Sequence, residues 1–400
     1  MKVLLINTLC GKGSTGKIVA DLYDMLLRHG HQVKVAYAHD EPTNVNVADT
    51  YRITGKLGYY IHNILTQITD RAGFFSTLET YRFVKYIQEI SPDVVHLHNI
   101  HGYYINIRIL FNYLRKRNIP VIWTLHDCWA FTGHCYHYSY QGCQKWLTQC
   151  YNCPLKHRYP KSRFLDRSRK NYLDKKKIFT SLERLYIVTP SLWLRNEVKK
   201  SFLSKYNCQA IPNGIDLNLF HPQGEGRRKK YGIPDGVILL LAVSFVWSKT
   251  KGLDDLVALN NKLDHSRYQL MIVGLENSQI KSLPSNIIKM GKTRSVRELA
   301  EIYTMSDVFL NLSYEETMGM VTAEALACGT PAIVYNKTAV PEVVNSLSGA
   351  VVEAGNIDGV LEMIPYALGL DKDDIIERAR CFEKKCQYER YYDIYKRITE

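Results

Sequence analysis

The chain has 400 residues, a formal net charge of +13 and a hydrophobic content of 46%. This length and composition predict a globular protein of two or three domains, each large enough for its own core, and they exclude disordered and fibrous classes. The longest mostly apolar run, residues 236–247, is too short for a membrane span, which needs about 20 residues.

The positive charge is confined to the first half of the chain. Residues 1–212 hold 30 Lys and Arg against 14 Asp and Glu, whereas residues 213–400 hold 22 against 25. Residues 1–10 indicate a buried strand rather than a lipoprotein signal that ends at Cys10. We therefore expect two domains with different partners in a cytoplasmic protein, with peripheral contact to the inner face of the cell membrane, whose cysteines are reduced or bound to metal.

The chain begins with a predicted strand, a glycine-rich loop and a helix that stops at Gly30. Gly11, Gly16 and Lys17 have the spacing of a P-loop, but Ile18 occupies the position that needs a hydroxyl group for magnesium. Such a turn still directs backbone N–H groups at one point, which suits an anion. Three interpretations follow: an ATPase loop, a loop that lines the site of another phosphate ligand, which we favour, and a merely tight turn.

Strands and helices then alternate along the whole chain. The pattern predicts strands at 33–38, 93–98, 121–126, 185–191, 237–243, 269–274, 287–290, 308–312 and 332–335. It predicts helices at 56–68, 76–90, 106–118, 296–304 and 320–327, from Leu192, from Leu253, and over most of 357–398. This alternation predicts an α/β protein with two Rossmann-like domains whose parallel sheets face each other across a cleft, where ligands bind beyond the carboxyl ends of the strands.

The expected domains are residues 1–212 and 213–385, hinged near 212–234, with a final helix at 386–400 that crosses back to the first domain. In the second domain, Glu316 is predicted on a loop and Glu324 inside the following helix. Backbone N–H groups between them would face a phosphate, and Glu324 could accept hydrogen bonds from a ribose. Equally, Glu316 could be solvated and Glu324 paired within its own helix.

The residues around these glutamates resemble a known family. The sequences LSYEETMG (312–319) and EALACGTPA (324–332), closed by PEVV (341–344), resemble the signature of family-four retaining glycosyltransferases, which have the GT-B fold. Four other blocks match in order: the glycine-rich loop, DVVHLH (93–98), IPNGID (211–216) with Phe220, and KGL (251–253). TLHDCWAFTGHC (124–135) is similar to a bacterial branch that assembles colanic acid, capsule or other surface polysaccharides.

The resemblance implies a role for each matching residue. Glu324 would hold the donor ribose, Glu316 the transferred sugar, and His126 would touch that sugar. Lys251 would bind the diphosphate, and Lys249 would take the second cationic role because the Gly-Arg pair usual upstream is absent. The nucleotide base would lie near Gly291 and Lys292. The loop and helix positions implied to contact the donor are Gly13, Ser14, Thr317, Met318, Gly319 and Met320.

The resemblance also implies the chemistry. A UDP- or GDP-sugar would be the donor, and lysines with helix-end N–H groups would stabilise the departing diphosphate without a metal. The single Asp-x-Asp, Asp371-Lys372-Asp373, indicates a helix cap instead of a metal motif. Because no pair of carboxylates brackets the sugar, as in retaining hydrolases, we favour same-face attack in which the leaving phosphate takes the acceptor's proton. His126 could instead be a satisfied core histidine.

Four cysteines, Cys135, Cys143, Cys150 and Cys153, lie within 19 residues of sequence. The final Cys-x-x-Cys pair and the reducing compartment favour structural zinc, with His134 or His137 as substitute ligands. The alternative is that these are free buried cysteines in an irregular insert. No metal is expected to take part in catalysis.

Residues 156–177 hold ten Lys and Arg, with aromatic residues interleaved. We expect this stretch to contact an anionic membrane surface or a lipid-diphosphate-linked glycan acceptor, because no nucleic-acid-binding motif accompanies it. A plain solvated face and nucleic-acid binding are the alternatives. The overall expectation is a hexosyltransferase-type enzyme, with two other functions open: a sugar-nucleotide epimerase or phosphorylase on the same fold, and an inactive nucleotide- or glycan-binding module.

Overall fold

The computed structural model describes residues 1–224 and 228–399. The chain divides into two compact units, one formed by Met1–Pro212 with Gln387–Glu400 and the other by Asn213–Cys386. Both are built on parallel sheets, and the prediction of two Rossmann-like α/β domains is confirmed. In the described residues, no helix combines the length and the apolar character that crossing a membrane requires.

The first unit is built on a seven-stranded parallel sheet with the order β3-β2-β1-β4-β5-β6-β7. Its strands are β1 (Lys2–Ile6), β2 (Gln32–Tyr37), β3 (Thr50–Arg52), β4 (Val94–Leu97), β5 (Val121–Thr124), β6 (Leu185–Thr189) and β7 (Asn207–Ala210). Its helices are α1 (Gly13–Arg28), α2 (Lys56–Thr69), α3 (Thr77–Ile90), α4 (Ile107–Arg117), α5 (Ser168–Phe179) and α6 (Leu192–Lys200).

Strand β1 shows why this sheet is covered on both faces. Its side chains alternate between two cores: Leu4 and Ile6 pack in one cluster, and Val3 and Leu5 pack in the other. Successive side chains of a strand point to opposite faces, so a strand that is apolar at every position must be buried on both. That is the reason its sequence forms one continuous apolar run.

The second unit repeats this plan with a six-stranded parallel sheet of order β10-β9-β8-β11-β12-β13. Its strands are β8 (Ile238–Val243), β9 (Tyr268–Val273), β10 (Ile288–Met290), β11 (Val308–Asn311), β12 (Ala332–Tyr335) and β13 (Gly349–Val352). Its helices are α7 (Leu253–Lys262), α8 (Asn277–Ser282), α9 (Val296–Met305), α10 (Met320–Ala327), α11 (Ile357–Leu368) and α12 (Lys372–Arg380). Asp371 caps α12 by accepting from the amides of Asp373 and Asp374, as the sequence predicts.

The last helix, α13 (Lys384–Thr399), belongs mostly to the first unit. Its tyrosines Tyr388, Tyr391 and Tyr395 are buried in the same cluster as Val3 and Leu5. The helix therefore fills part of a core whose other members come from the first 211 residues of the chain.

The predicted helices and strands are present, with ends that differ by one or two residues. Three strands have no counterpart among the predictions: β3, β7 and β13. All three are strands of three or four residues at the edges of their sheets, too short to show a clear alternation or a long apolar run. Helices α5 and α8 were also not predicted, because the apolar residues of α5 are scattered among basic ones and α8 has only six residues, none of them buried.

Candidate functional site

The strand order of the second unit defines where a ligand would bind. The order reverses between β8 and β11, so the loops that follow these two strands diverge and leave a crevice at the carboxyl edge of the sheet. The loop after β8 carries Lys249 and Lys251 in a short 3-10 turn, and the loop after β11 carries Glu316. The sheet therefore brings together residues that are more than sixty positions apart in the chain.

Lys251 and Glu316 form an ion pair at this crevice. The Lys251 ammonium donates to Glu316 Oε1 at 2.5 Å and to the backbone carbonyl of Glu315 at 3.2 Å. The two side chains are 26% and 20% exposed, respectively, so both can be reached from solvent. Because one ammonium holds one carboxylate and one carbonyl, it is fixed in position while part of its surface stays open to a ligand.

The two loops touch closely because Gly252 allows it. A Cβ atom at this position would lie 2.2 Å from the carbonyl oxygen of Leu312, and the residue has φ of +75°. The amide of Tyr314 also donates to the carbonyl of Thr250 at 2.9 Å. These contacts set the position of Lys251 relative to the glutamate loop.

The glutamate loop is held on its other side by the loop after β12. The amide of Glu316 donates to the hydroxyl of Thr338 at 3.0 Å, and the amide of Ala339 donates to the carbonyl of Glu316 at 3.4 Å. Thr338 was not predicted, and no motif in the sequence points to it. Its contribution to the site comes from the adjacency of β11 and β12.

Helix α10 starts at the end of this loop. Gly319 precedes it in a left-handed conformation and has no side chain to cap it, so the first amides of the helix remain for a ligand or water. Thr317 and Met320 are half-buried, and Met318 is buried with its sulfur accepting from the amide of Asn213 at 3.1 Å. Met318 therefore anchors the loop through its side chain and leaves its backbone for other contacts.

Glu324 lies one turn into α10, as predicted, and is half-buried. Its Oε2 accepts from the hydroxyl of Tyr303 at 3.1 Å. Burial, followed by the charge of Glu324, holds the pKa of Tyr303 well above its usual value, so this hydroxyl stays protonated and donates. Tyr303 was missed by the sequence analysis, since it belongs to α9 and nothing in its local pattern distinguishes it from a core residue.

Lys249 and Lys292 lie at the same edge of the sheet. The Lys249 side chain is 74% exposed, and its ammonium lies 3.7 Å from a carboxylate oxygen of Asp254. The Lys292 ammonium lies 3.8 Å from the centroid of the Phe245 ring, which is itself exposed. Both lysines are therefore accessible to an anionic ligand, and the ring of Phe245 offers a flat surface beside one of them.

The first unit has a comparable crevice between β1 and β4, where its strand order reverses. The glycine-rich loop follows β1, and Gly13 and Ser14 are exposed in the first turn of α1. Gly11 must be glycine, because a Cβ there would lie 1.6 Å from the carbonyl oxygen of Thr43. Its amide donates to the carbonyl of Gly16 at 3.0 Å, which closes the loop on itself.

His126 follows β5 and is half-buried. Its Nε2 lies 3.0 Å from Nδ1 of His98, and the two rings stack with centroids 5.3 Å apart. Burial lowers the pKa of His126 to about 4 and that of His98 well below its usual range. Both rings are therefore neutral at pH 7, and His126 can accept or donate a hydrogen bond without carrying charge.

A second polar group lies next to His126. Asp127 Oδ2 contacts Nε2 of His101 at 2.8 Å, and Oδ1 accepts from the amide of Trp129 at 2.8 Å. Burial opposes ionisation of Asp127, but His101 and this amide outweigh it and the pKa is lowered. Asp127 is thus a charged group fixed beside His126, and neither it nor His101 was predicted as a site residue.

The four predicted zinc ligands do not form a tetrahedral arrangement. Cys135 and Cys153 share a thiol hydrogen bond, Cys150 accepts from the amide of Gly133 at 3.1 Å, and Cys143 packs against the core. Throughout the described ranges, no three His, Cys, Asp or Glu side chains are grouped so that they could hold a metal ion. Structural zinc therefore stays a prediction.

Two Rossmann-like units with polar crevices at their switch points define a protein of the GT-B fold. Residues 15–219 match the family description "Glycosyltransferase Family 4", and residues 225–383 match "Glycosyl transferases group 1". The chain belongs to glycosyltransferase family 4. This confirms the family that the sequence resembles.

Individual relatives agree with this assignment. WcaC of Escherichia coli strain K12, which carries the name of a colanic acid biosynthesis glycosyl transferase, is 23% identical over 88% of this chain and 87% of its own. A GDP-mannose-dependent phosphatidylinositol monomannoside mannosyltransferase of Corynebacterium glutamicum is 27% identical over 51% of this chain and 56% of its own. The crystal structure of Anabaena HepE with UDP and glucose is 14% identical, covers 99% of both chains and has a TM-score of 0.68.

Proposed function

We propose that this glycosyltransferase moves a hexose from a UDP- or GDP-sugar to a lipid-diphosphate-linked glycan, with retention and without a metal, in bacterial surface polysaccharide assembly. The observation that carries the proposal is the Lys251–Glu316 pair at the switch point, beside the uncapped start of α10. It provides one cation and several backbone amides at the place where ligands of parallel sheets bind.

The proposed reaction requires positively charged and hydrogen-bond-donating groups at this position. When the sugar leaves, negative charge develops on the outer phosphate of the nucleoside diphosphate. Lys251, the amides at the start of α10 and the accessible Lys249 could stabilise that charge, and a preorganised donor of this kind is worth about 10²–10³ in turnover. Glu316, held by Lys251, would accept hydrogen bonds from the hydroxyls of the transferred sugar.

Two further residues, one in each unit, have a role in the proposal. Glu324, held by the hydroxyl of Tyr303, would accept hydrogen bonds from the ribose hydroxyls. His126, neutral and supported by His98, would donate to or accept from a sugar hydroxyl. In same-face attack the leaving phosphate oxygen takes the proton of the acceptor hydroxyl as the new glycosidic bond forms and the bond to the diphosphate breaks, so no protein base is required.

The base of the donor remains a choice between uracil and guanine. HepE holds UDP in its crystal structure, and several relatives are named as GDP-mannose-dependent. In this chain the ring of Phe245 with the ammonium of Lys292 offers a surface on which either base could stack.

The acceptor side of the proposal rests on the first unit. Eight of the ten basic side chains in residues 156–177 are exposed, whereas Lys175 is buried against the ring of Trp129. An exposed basic surface suits the diphosphate of a lipid-linked acceptor and the anionic lipids around it. Structural zinc at Cys135, Cys143, Cys150 and Cys153 belongs to the same unit and would stabilise its irregular insert without taking part in transfer.

A panel of UDP- and GDP-sugars tests the proposal through nucleotide release, with and without a lipid-diphosphate-linked sugar, and the anomeric configuration of the product is read by NMR. We expect acceptor-dependent release, insensitivity to EDTA, and retention. Turnover without acceptor would indicate an epimerase, and binding without turnover an inactive module. An inverted product would contradict the retaining mechanism, and loss of activity in EDTA would contradict metal independence.

A further inference from the structure

Helix α2 presents its apolar side to solvent. Leu57, Tyr60, Ile61, Ile64 and Ile68 are 43–74% exposed, and their spacing of three and four residues places them on one stripe. The buried positions of the helix are His62 and Thr66. This is the reverse of the pattern expected for a helix that packs on a soluble core, so the stripe is free to bind something else.

The inverted orientation is fixed by hydrogen bonds of the buried histidine. The amide of Gly73 donates to His62 Nε2 at 3.3 Å, so this nitrogen is the acceptor and Nδ1 carries the proton that is donated to Ser76 Oγ at 2.8 Å. The helix is thus anchored by its polar side. Rotating it to bury the stripe would break both bonds inside the protein.

The apolar surface extends beyond α2. Residues 162–165 run along its C-terminal end, where the amide of Arg163 donates to the carbonyl of Gln67 at 2.7 Å. This places Phe164, 68% exposed, and Leu165 beside the stripe. We call Leu57, Tyr60, Ile61, Ile64, Ile68, Phe164 and Leu165 the α2 patch.

A cationic cavity adjoins the C-terminal end of α2. It has a volume of about 380 Å³, and Arg71, Arg108 and Arg167 are among its lining residues. Asp174 Oδ2 lies 2.7 Å from Arg71 and 3.5 Å from Arg108, so one carboxylate pairs with two of the three guanidinium groups. Arg71 also lies over the ring of Phe74 at 3.6 Å, which holds it in place. The three arginines outnumber this carboxylate, so the cavity keeps excess positive charge, which suits a phosphate group.

We propose that the α2 patch and this arginine cavity form a docking surface for an anionic phospholipid bilayer. The patch enters the boundary between headgroups and acyl chains, and the arginines bind lipid phosphates at the same depth, a pairing typical of interfacial helices. A second copy of this chain fits less well, because a two-fold interface would bring the same arginines towards each other. This inference rests on the proposed function, because a lipid-linked acceptor would bring the protein to a membrane. It adds which surface of the protein contacts that membrane.

Vesicle flotation of the full chain tests the inference. The vesicles are phosphatidylcholine alone, or phosphatidylcholine and phosphatidylglycerol in equal parts, and no donor or acceptor is present. The variant Ile61→Ser/Ile64→Ser removes part of the patch, and Arg108→Gln/Arg167→Gln removes cavity charge. The matched control is Leu219→Ser/Leu347→Ser, whose side chains are similarly exposed in the other unit. Analytical ultracentrifugation and thermal unfolding accompany each protein.

We expect the wild-type chain to bind the anionic vesicles, the isoleucine variant to bind them at least about tenfold less, and the control to bind as wild type. The arginine variant should lose the preference for phosphatidylglycerol. Absence of wild-type binding, or equal binding by the isoleucine variant and the control, would overturn the inference. So would a wild-type dimer that the isoleucine variant dissociates without any vesicle binding. Since no sugar transfer is measured, these failures leave the proposed transferase activity untouched.

Discussion

Replacing Lys251 by Met separates the catalytic role of its charge from its structural role. The substitution keeps the length of the side chain but removes the ammonium that donates to Glu316 at 2.5 Å. Glu316 is then left with an uncompensated negative charge facing the proposed diphosphate. We expect the variant to lose turnover and to bind the donor more weakly, while it stays folded.

The expected loss of stability is much smaller than the expected loss of turnover. Both side chains of the pair are at least one fifth exposed, and an ion pair in such a setting contributes about 0.2–1 kcal/mol to stability. A loss of this size leaves a domain of ordinary stability almost fully folded. Loss of a preorganised donor to a developing oxyanion costs about 3–4 kcal/mol of activation free energy, or about 10²–10³ in turnover.

The assay is nucleotide release under saturating acceptor, combined with thermal unfolding. Lys262→Met is the matched control, since the Lys262 ammonium contacts Asp358 at 2.5 Å on an exposed surface of the same unit. Both variants should unfold within a few degrees of the wild type, but only Lys251→Met should lose turnover. If the two variants have the same turnover, or if Lys251→Met loses activity only in proportion to unfolded protein, the reasoning is refuted.

Three other predictions can be tested on the same protein. Glu324→Gln should raise the KM for the donor about tenfold or more. Tyr303→Phe leaves the carboxylate in place and should change this KM less. Equal changes in the two variants would contradict the proposal that Glu324 binds the ribose. Denatured wild-type protein should release one zinc ion per chain to a colorimetric indicator, and Cys150→Ser with Cys153→Ser should release less; a wild type without zinc would dismiss the metal site. Burial lowers the pKa of His62 to about 3. As the pH falls below about 6.5, the unfolded chain therefore takes up a proton at His62 that the folded chain does not. The free energy of unfolding should then fall by up to about 1.4 kcal/mol per pH unit because of this residue. Urea unfolding between pH 7 and 4 should show a steeper fall in the free energy of unfolding for the wild type than for His62→Gln. Parallel plots of this free energy against pH would contradict the prediction.

The central strands could be predicted from the sequence because they are buried on both faces. β1, β8 and β12 are short apolar runs bounded by polar, proline or glycine residues, and this length with these flanking residues favours a buried strand over a buried helix. β3 and β7 could not be predicted, since a short edge strand needs only one covered face and little apolar sequence. β13 was missed although three of its four residues are buried, because a run of four residues is too short to distinguish a strand from another buried segment.

Lys251, Glu316 and Glu324 were predicted as site residues from the sequence, whereas Thr338, Tyr303 and Asp127 were not, and the contacts of all six could not be predicted. Lys251 and Glu316 meet because β8 is a neighbour of β11, and that adjacency is a property of the strand order, which the spacing of motifs does not contain. Thr338 joins them for the same reason through β12. The orientation of α2 could not be predicted either. Its amphipathic sequence predicts an apolar stripe but does not determine whether that stripe faces the core or solvent.

The two switch points also differ in a way that indicates where the chemistry lies. In the first unit the crevice is bridged by neutral groups: the side chain of Asn7, after β1, accepts from the amide of Asn99, after β4, at 3.2 Å. In the second unit the equivalent bridge is the charged pair of Lys251 and Glu316. A neutral bridge holds two loops together at little electrostatic cost, whereas a partly exposed ammonium and carboxylate contribute little stability and suit a charged ligand. Under the proposed function the second switch point binds the diphosphate of the donor, so donor binding should respond to substitutions at Lys251 far more than to substitutions at Asn7.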